Sequence, residues 1–420
     1  MSVLILAPLM PKIGFSSEVV IYPYEIVLGF LFICIFFLDF QSLFRTAVQR
    51  WYLAFICMIV ISTCMTAVSG GIDAGSIMRL MKLLIYVCVP GIIFHLDERR
   101  EWMPLIAKAG TAALALNLYF IIIGGSEIFS GKLSFNVEEI SGGLSGKYFS
   151  LSTFSLQSTG RLSHGVWATY VALQLAIVSS LYFKDKISKS FFVVSLFLIF
   201  LNIVSSISRE GLLIAILILF GYCFAGASRK FSIKPFSVRF WPLFSVIVVF
   251  VTAMLAASQT QMGQKISFMF EFLSSGGVDN NISGRFNTWV LSLQVIFSSY
   301  RYLFFGMGYN LELYGSEIEK HAMYMNSGAY STIPESLFFS ALVFAGLCGV
   351  FLLFCLIASV VAVFRRAPLF QSEKVFYAMF LIGLLTTNLV AGATAISDLM
   401  LLNIFILVGF WYKELHLKQR

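Results

Sequence analysis

Residues 334–363, PESLFFSALVFAGLCGVFLLFCLIASVVAV, carry a single charge, Glu335, in an otherwise apolar run. A bilayer core about 30 Å thick takes roughly 20 apolar residues of helix, so this stretch is long enough to cross one. Comparable runs lie near 22–39, 51–69, 77–95, 102–124, 163–183, 189–204, 209–226, 240–257, 375–392 and 395–412. Together they make eleven spans. Ser2–Gly14 is apolar but short and interrupted by Pro8 and Pro11, so it is either a thin twelfth span or a segment packed at the interface. Of the 420 residues, 59% are hydrophobic and 12% charged, whereas a soluble domain carries about 25% charged residues. A cytosolic enzyme is excluded, because polar surface for it is lacking. A single-anchor protein is excluded by the recurrence of the runs. The chain reads as an all-α polytopic membrane protein of 11–12 transmembrane helices, a single domain over residues 1–420.

Charge bias gives the direction. The short connections 40–50, 96–101, 184–189, 227–239 and 364–374, with the tail 413–420, hold 17 of the 29 Lys and Arg. The two long alternate segments, 125–162 and 258–333, hold seven against eight acids. The basic side is therefore expected in the cytoplasm with the C-terminus, and the long loops outside it. The formal charge of +8 follows from topology, and no nucleic-acid partner is needed. The N-terminus lacks the basic region of a cleaved signal peptide. All seven cysteines sit in apolar runs, so neither a disulfide framework nor a metal-binding pair is supported. Within the larger loop, Arg285–Phe304 (RFNTWVLSLQVIFSSYRYLF) has helical apolar spacing between polar ends and reads as an amphipathic helix at the outer leaflet. Thr260–Leu273 shows a weaker version of the same pattern.

An ionisable residue within a span is costly and marks function by default. With this topology, several gather at the outward face. Arg161 ends the first long loop in GRLSHGVWATY; Arg209 and Glu210 stand in SSISREGLL, a turn between two outward ends. Arg285 opens the amphipathic helix, Glu335 starts the next span, and His321 lies upstream in EKHAMYMN. Each has a structural alternative. Arg161 also fits an interfacial anchor, Arg209–Glu210 a self-satisfied pair at a helix start, and Arg285 a headgroup contact. Glu335 fits the first turn of a helix, and His321 a solvated loop. Arg79 and Lys82 fit a headgroup or a pairing with Asp73, and Lys108 and Arg301 read as anchors. Three arginines from distant parts of the chain at one face weigh more than each alone. Arginine stays charged and binds phosphate oxygens bidentately, so a lipid diphosphate would supply the missing anions. The sequence holds no HExxH, P-loop or GxSxG motif, and no catalytic metal or cofactor is expected.

These motifs resemble the O-antigen polymerase and ligase superfamily, which includes Wzy-type polymerases and the lipopolysaccharide O-antigen ligase. SSISREGLL is similar to its S-x-S-R-x-G turn, and GRLSHGVWATYVAL to its arginine before a span start. In RFNTWVLSLQVIFSSYRYLFFGMGYN, Arg285, Trp289, Gly306 and Gly308 match its loop helix, and PESLFFSALVFAGLCGV its junction into a span with Gly-x-x-Gly. The resemblance covers residues 160–360.

It implies a GT-C-like, metal-independent glycosyltransferase acting on undecaprenyl-diphosphate-linked oligosaccharide at the periplasmic face of a bacterial inner membrane. Arg209 and Arg285 would hold the diphosphate, helped by Arg161. The ligase's His-Asn junction is replaced here by Pro334-Glu335-Ser336, which tilts the reading to a polymerase with Glu335 as general base and His321 as the alternative. Trp289, Tyr309, Tyr324 and Tyr330 would stack on sugars. A chain-length-determining co-polymerase and a flippase are the partners the resemblance implies, beside membrane lipid. The competing readings are the ligase to lipid A-core and a transporter of lipid-linked units.

Overall fold

The computed structural model describes residues 7, 13–14, 20–21, 23–70, 74–96, 101–129, 164–206, 209–227, 280–325, 330–331, 334, 336–390 and 398–419. A two-residue antiparallel ladder pairs Ile13 with Ile21 and Gly14 with Val20. The end of the Ser2–Gly14 segment, Ile13–Gly14, is therefore extended; apart from Ala7 the rest of that segment lies outside the described residues. All later elements are helical. They are α1 (Pro23–Leu38), α2 (Ala47–Gly70), α3 (Ala74–Ile85), α4 (Val89–Phe94), α5 (Trp102–Phe129), α6 (His164–Phe183), α7 (Lys189–Ser206) and α8 (Arg209–Ala227). Then follow α9 (Asn280–Phe297), α10 (Tyr300–Phe305), α11 (Leu311–Met325), α12 (Leu337–Arg366), α13 (Gln371–Val390) and α14 (Asp398–Gln419).

Ten of the eleven expected spans coincide with these helices; residues 240–257, like Thr260–Leu273, lie outside the described residues. Among the described residues, four stretches are long and apolar enough to cross a membrane: Ala47–Val68, Gly75–Phe94, Leu337–Arg366 and Met400–Lys418. Shorter apolar helices at Pro23–Leu38, Trp167–Phe183, Lys189–Ile203 and Glu210–Tyr222 pack among them. The architecture is all-α and polytopic. Phe30, Phe37, Phe220 and Phe351 stay exposed, as lipid-facing side chains do.

With apolar surface on all sides, helix pairing here depends on close packing and interior polar contacts. Asn202 of α7 supplies one such node. Its Oδ1 accepts from Asn117 Nδ2 of α5 at 2.7 Å and from Trp167 Nε1 of α6 at 3.2 Å, and its Nδ2 donates to the Leu114 carbonyl at 3.1 Å. Three helices are thus joined at fully buried side chains. A second contact corrects the sequence reading. Lys82 of α3 pairs with Glu25 of α1 at 2.8 Å, and Tyr86 Oη donates to Glu25 Oε1 at 3.0 Å. The expectation that Lys82 serves Asp73 or a headgroup missed Glu25, 57 positions upstream.

The basic connections meet at one end of the bundle. Lys184 pairs with Glu373 at 2.7 Å, Lys186 pairs with Glu101, and Lys413 Nζ donates to the Leu96 carbonyl. Arg45 lies over the Phe94 ring at 3.8 Å, and Asp39 bonds Ser42 and His95. A cleft of about 230 Å³ lined by Glu101, Lys184, Lys186, Lys413 and Glu414 opens there.

Candidate functional site

The opposite end is built around two breaks in helical structure. The first lies inside α12. Gly346 has φ +63°, outside helical geometry, and the helix folds back on itself there: a Cβ on Gly349 would meet Ala341 O at 3.0 Å. In an unbroken helix those residues would be about 12 Å apart along the axis. The apolar run 334–363 is thus two segments, and the later one, 347–366, alone has the roughly 20 residues a span needs. Breaking a helix in an apolar medium leaves carbonyls that must be satisfied within the protein. Met307 N–H donates to the Val343 carbonyl at 2.7 Å and Gly308 N–H to the Phe344 carbonyl at 3.1 Å.

The second break separates α9 from α10. The sequence suggested one amphipathic helix over Arg285–Phe304, but α9 ends at Phe297 and α10 starts at Tyr300. Ser299 is extended and caps α10 by accepting from Arg301 N–H at 3.3 Å. Past α10 the Gly306-Met307-Gly308 turn enters the bundle between α2 and α12. Gly306 and Gly308 have φ of +76° and +73°, and Cβ atoms there would sit 2.5 Å from Ala345 N and 2.4 Å from Thr63 Cα. Glycine is required on both counts. Thr63 Oγ1 then accepts from Tyr309 N–H at 2.8 Å. Arg301, read as an anchor, donates from Nη2 to Thr66 Oγ1 of α2 at 3.0 Å.

α9 and α11 pack in opposite directions. Ser292 Oγ meets Tyr314 Oη at 2.6 Å, while Ser331, beyond the end of α11, donates its N–H to Thr288 Oγ1 at 2.8 Å. Arg285 precedes Ser292 by seven residues and His321 follows Tyr314 by seven. Two turns return to the same helix face about 10 Å away, so Arg285 and His321 share one level. Both are half-buried.

Glu335 lies outside the described residues, but its neighbours are tied to α9. Ser331 bonds Thr288, and Phe339 stacks on Trp289 with ring centroids 5.5 Å apart. α12 begins at Leu337, and Ser336 is its N-cap, accepting from Phe339 N–H at 3.1 Å. Leu337 also lines an apolar cleft of about 110 Å³ with Tyr52, Phe55, Leu353, Leu384 and Phe405.

The S-x-S-R-x-G turn is as short as its sequence implied: α7 ends at Ser206 and α8 starts at Arg209. Its glycine has a packing reason. A Cβ on Gly211 would lie 2.3 Å from Ala168 Cβ and 2.8 Å from Ala168 C, so α8 starts against the first turns of α6. Glu210 stands in the first turn of α8, where the helix dipole favours an acid. Its Oε2 is buried and accepts no hydrogen bond among the described residues, while the Arg285 charge acts on it from α9. The Arg209 side chain lies outside the described residues, as does Arg161, three positions before the start of α6.

Of the stacking candidates, Trp289 has one face on Phe339 and a buried Nε1 without an acceptor among the described residues. Tyr309 packs against Phe344 at 4.7 Å, and Tyr330 is exposed. The Tyr324 side chain lies outside the described residues. Sequence reasoning missed two features: the Glu210 Oε2, which accepts no hydrogen bond among the described residues, and the contact of Arg301 with Thr66.

Residues 194–354 match the family model described as O-antigen ligase. The matched segment runs from α7 through the S-x-S-R-x-G turn, α9, α10 and α11 to the later part of α12, and so holds both helix breaks. No curated protein matches the chain. Members of this family transfer glycosyl groups, broadly from lipid-linked oligosaccharides in a membrane. The match bears out the resemblance drawn from the motifs: residues 194–354 carry the signature of the O-antigen polymerase and ligase superfamily.

Proposed function

We propose that the protein polymerises lipid-linked oligosaccharide repeats at the periplasmic face of a bacterial inner membrane, with its C-terminus in the cytoplasm. The observation that carries this reading is the family match over residues 194–354, which takes in both the S-x-S-R-x-G turn with Arg209 and the helix that bears Arg285. Arg209 and Arg285, helped by Arg161, would hold the diphosphate of an undecaprenyl-linked chain. Fixed donors of this kind act most strongly on the charge that develops as the diphosphate leaves. A sugar hydroxyl of the incoming repeat attacks the anomeric carbon with inversion. Glu335 takes its proton in this reading, and His321, at the level of Arg285, is the alternative. The apolar cleft beginning at Leu337 offers a seat to the lipid tail beside that point. No metal is assigned a role. Trp289, Tyr309, Tyr324 and Tyr330 would contact the glycan, and a co-polymerase and a flippase would act alongside.

Purified protein in vesicles containing lipid-linked repeats should lengthen them without added metal. Full polymerisation by a normally expressed Arg209→Ala variant would contradict the diphosphate role. Unchanged turnover of Glu335→Gln would move the base elsewhere. Ligation to lipid A-core is the second reading, favoured by the description of the matched family. Deletion separates the two: loss of a polymerase leaves lipopolysaccharide with one repeat, and loss of a ligase leaves bare core.

A further inference from the structure

We propose that Arg301 is a binding residue for the second substrate, holding the diphosphate of the incoming lipid-linked repeat; this rests on the function proposed above. Arg301 is half-buried, so its guanidinium is neither sealed in the bundle nor free in water. Nη2 donates to Thr66 Oγ1 at 3.0 Å. The Thr66 hydroxyl gives its own proton to the Ser62 carbonyl at 3.0 Å, so toward Arg301 it can only accept. The Tyr302 ring centroid lies 5.8 Å from Cζ. Nε is buried with no acceptor, and no carboxylate meets the group among the described residues. Thr66 stands one turn before the end of α2 that the charge bias turns outward. An interfacial anchor needs only to reach water or a headgroup. A guanidinium fixed by a matched acceptor, with its charge unanswered, is instead arranged for a phosphate.

Joining two lipid-linked glycans requires two such anion sites. The donor's diphosphate is bonded to the reacting anomeric carbon. The acceptor's diphosphate lies at the far end of its repeat, an oligosaccharide's length from the attacking hydroxyl. The two diphosphates are therefore held apart, and one arginine cluster does not serve both. α9 separates the candidates. From Arg285 to Phe297 it runs about 18 Å, and Arg301 stands four residues further, across the break at Ser299. The Gly306-Met307-Gly308 turn seats α10 between α2 and α12, so the second point keeps its place. A bulk phospholipid headgroup offers the same phosphate chemistry, and the experiment separates the two sources.

The test uses the full chain in vesicles, with a preformed lipid-linked chain as donor and a labelled single lipid-linked repeat as acceptor. Each is varied while the other saturates. Arg301→Ala should raise KM for the single repeat about tenfold or more, the effect of losing a hydrogen bond to a charged group. KM for the donor chain and kcat should hardly change. Arg301→Lys, which keeps the charge without the fork, should fall between. Retained binding of sugarless undecaprenyl diphosphate reports that the variant is folded. Equal rises in both KM values, or a rise in neither, would overturn the proposal. The rise should be the same in phosphatidylcholine vesicles with and without phosphatidylglycerol. A rise confined to vesicles containing phosphatidylglycerol would give Arg301 to bulk headgroups and overturn the proposal too. Failure of the wild-type protein to lengthen repeats would refute the proposed function itself, whereas an active wild type with an unaltered Arg301→Ala refutes this assignment alone.

Discussion

Met307 N–H donates to the carbonyl of Val343, a carbonyl that an unbroken α12 would have kept for itself. The break at Gly346 and the Gly306-Met307-Gly308 turn therefore depend on each other. The turn supplies donors that the broken helix lacks, and the break makes the space that the turn fills.

This interdependence predicts a contrast between glycines. Gly346→Ala forces φ +63° on a residue with a Cβ, worth about 1–2 kcal/mol, and places that atom 2.4 Å from Phe304 C. Gly29→Ala, in α1 with nothing within 4 Å of an added Cβ, should be neutral or stabilising by up to about 1 kcal/mol. Thermal unfolding in detergent should show a large loss of Tm for the first and none for the second.

Arg285 and Arg209 should be necessary to transfer but not to folding. Removing one preorganised charge-stabilising donor typically lowers turnover about 100- to 1000-fold. Arg285→Ala should show a loss of that order with an unchanged elution profile, and Arg285→Lys should recover only part, because lysine lacks the bidentate fork. Single-turnover rates with the lipid-linked repeat check this.

Asn202→Leu should loosen the joint between α5, α6 and α7. It strands the donors of Asn117 and Trp167, and polar contacts between membrane helices average about 0.6 kcal/mol each. A loss of about 1–2 kcal/mol is expected, and Asn117→Ala in the same background should add less than it does alone. Denaturant unfolding of the single and double variants measures it.

The carboxyl of Asp39, at the basic end, is held below its ordinary value of 3.8, first by the Ser42 hydroxyl and then by His95. A depressed folded-state pKa stabilises the fold above the unfolded value and loses that effect as pH falls through the folded one. The difference in Tm between the wild type and Asp39→Asn should be full above about pH 4 and shrink as pH drops further. A difference that grows on acidification would contradict the sign.

How much of this was legible follows from what apolarity reports. The spans were legible because hydrocarbon thickness sets run length, and ten coincide with helices. The glycine-rich turn and Gly346-x-x-Gly349 were visible as motifs, but apolarity carries no backbone dihedral. The run 334–363 therefore looked like one helix until Gly346 bent it. The gap between α9 and α10 left a local signal, Ser299 as a cap, within a helical apolar period that hid it. Glu25–Lys82 was illegible because its partners come from helices that sequence distance does not relate. The state of Glu210 Oε2, buried and without a hydrogen bond among the described residues, was illegible because spacing cannot tell whether an oxygen is satisfied. Arg161, Arg209 and Glu335 remain readings from motif and from the positions of their neighbours.

The central claim is that separate arginines grip one diphosphate. A double-mutant cycle tests it most directly, measuring Kd for undecaprenyl diphosphate with the wild type, Arg209→Ala, Arg285→Ala and the double variant in vesicles. Shared use of one ligand predicts that each single change weakens binding and that the double change weakens it by a factor clearly different from the product of the two. Binding unaffected by either change, or losses that simply multiply, would contradict it.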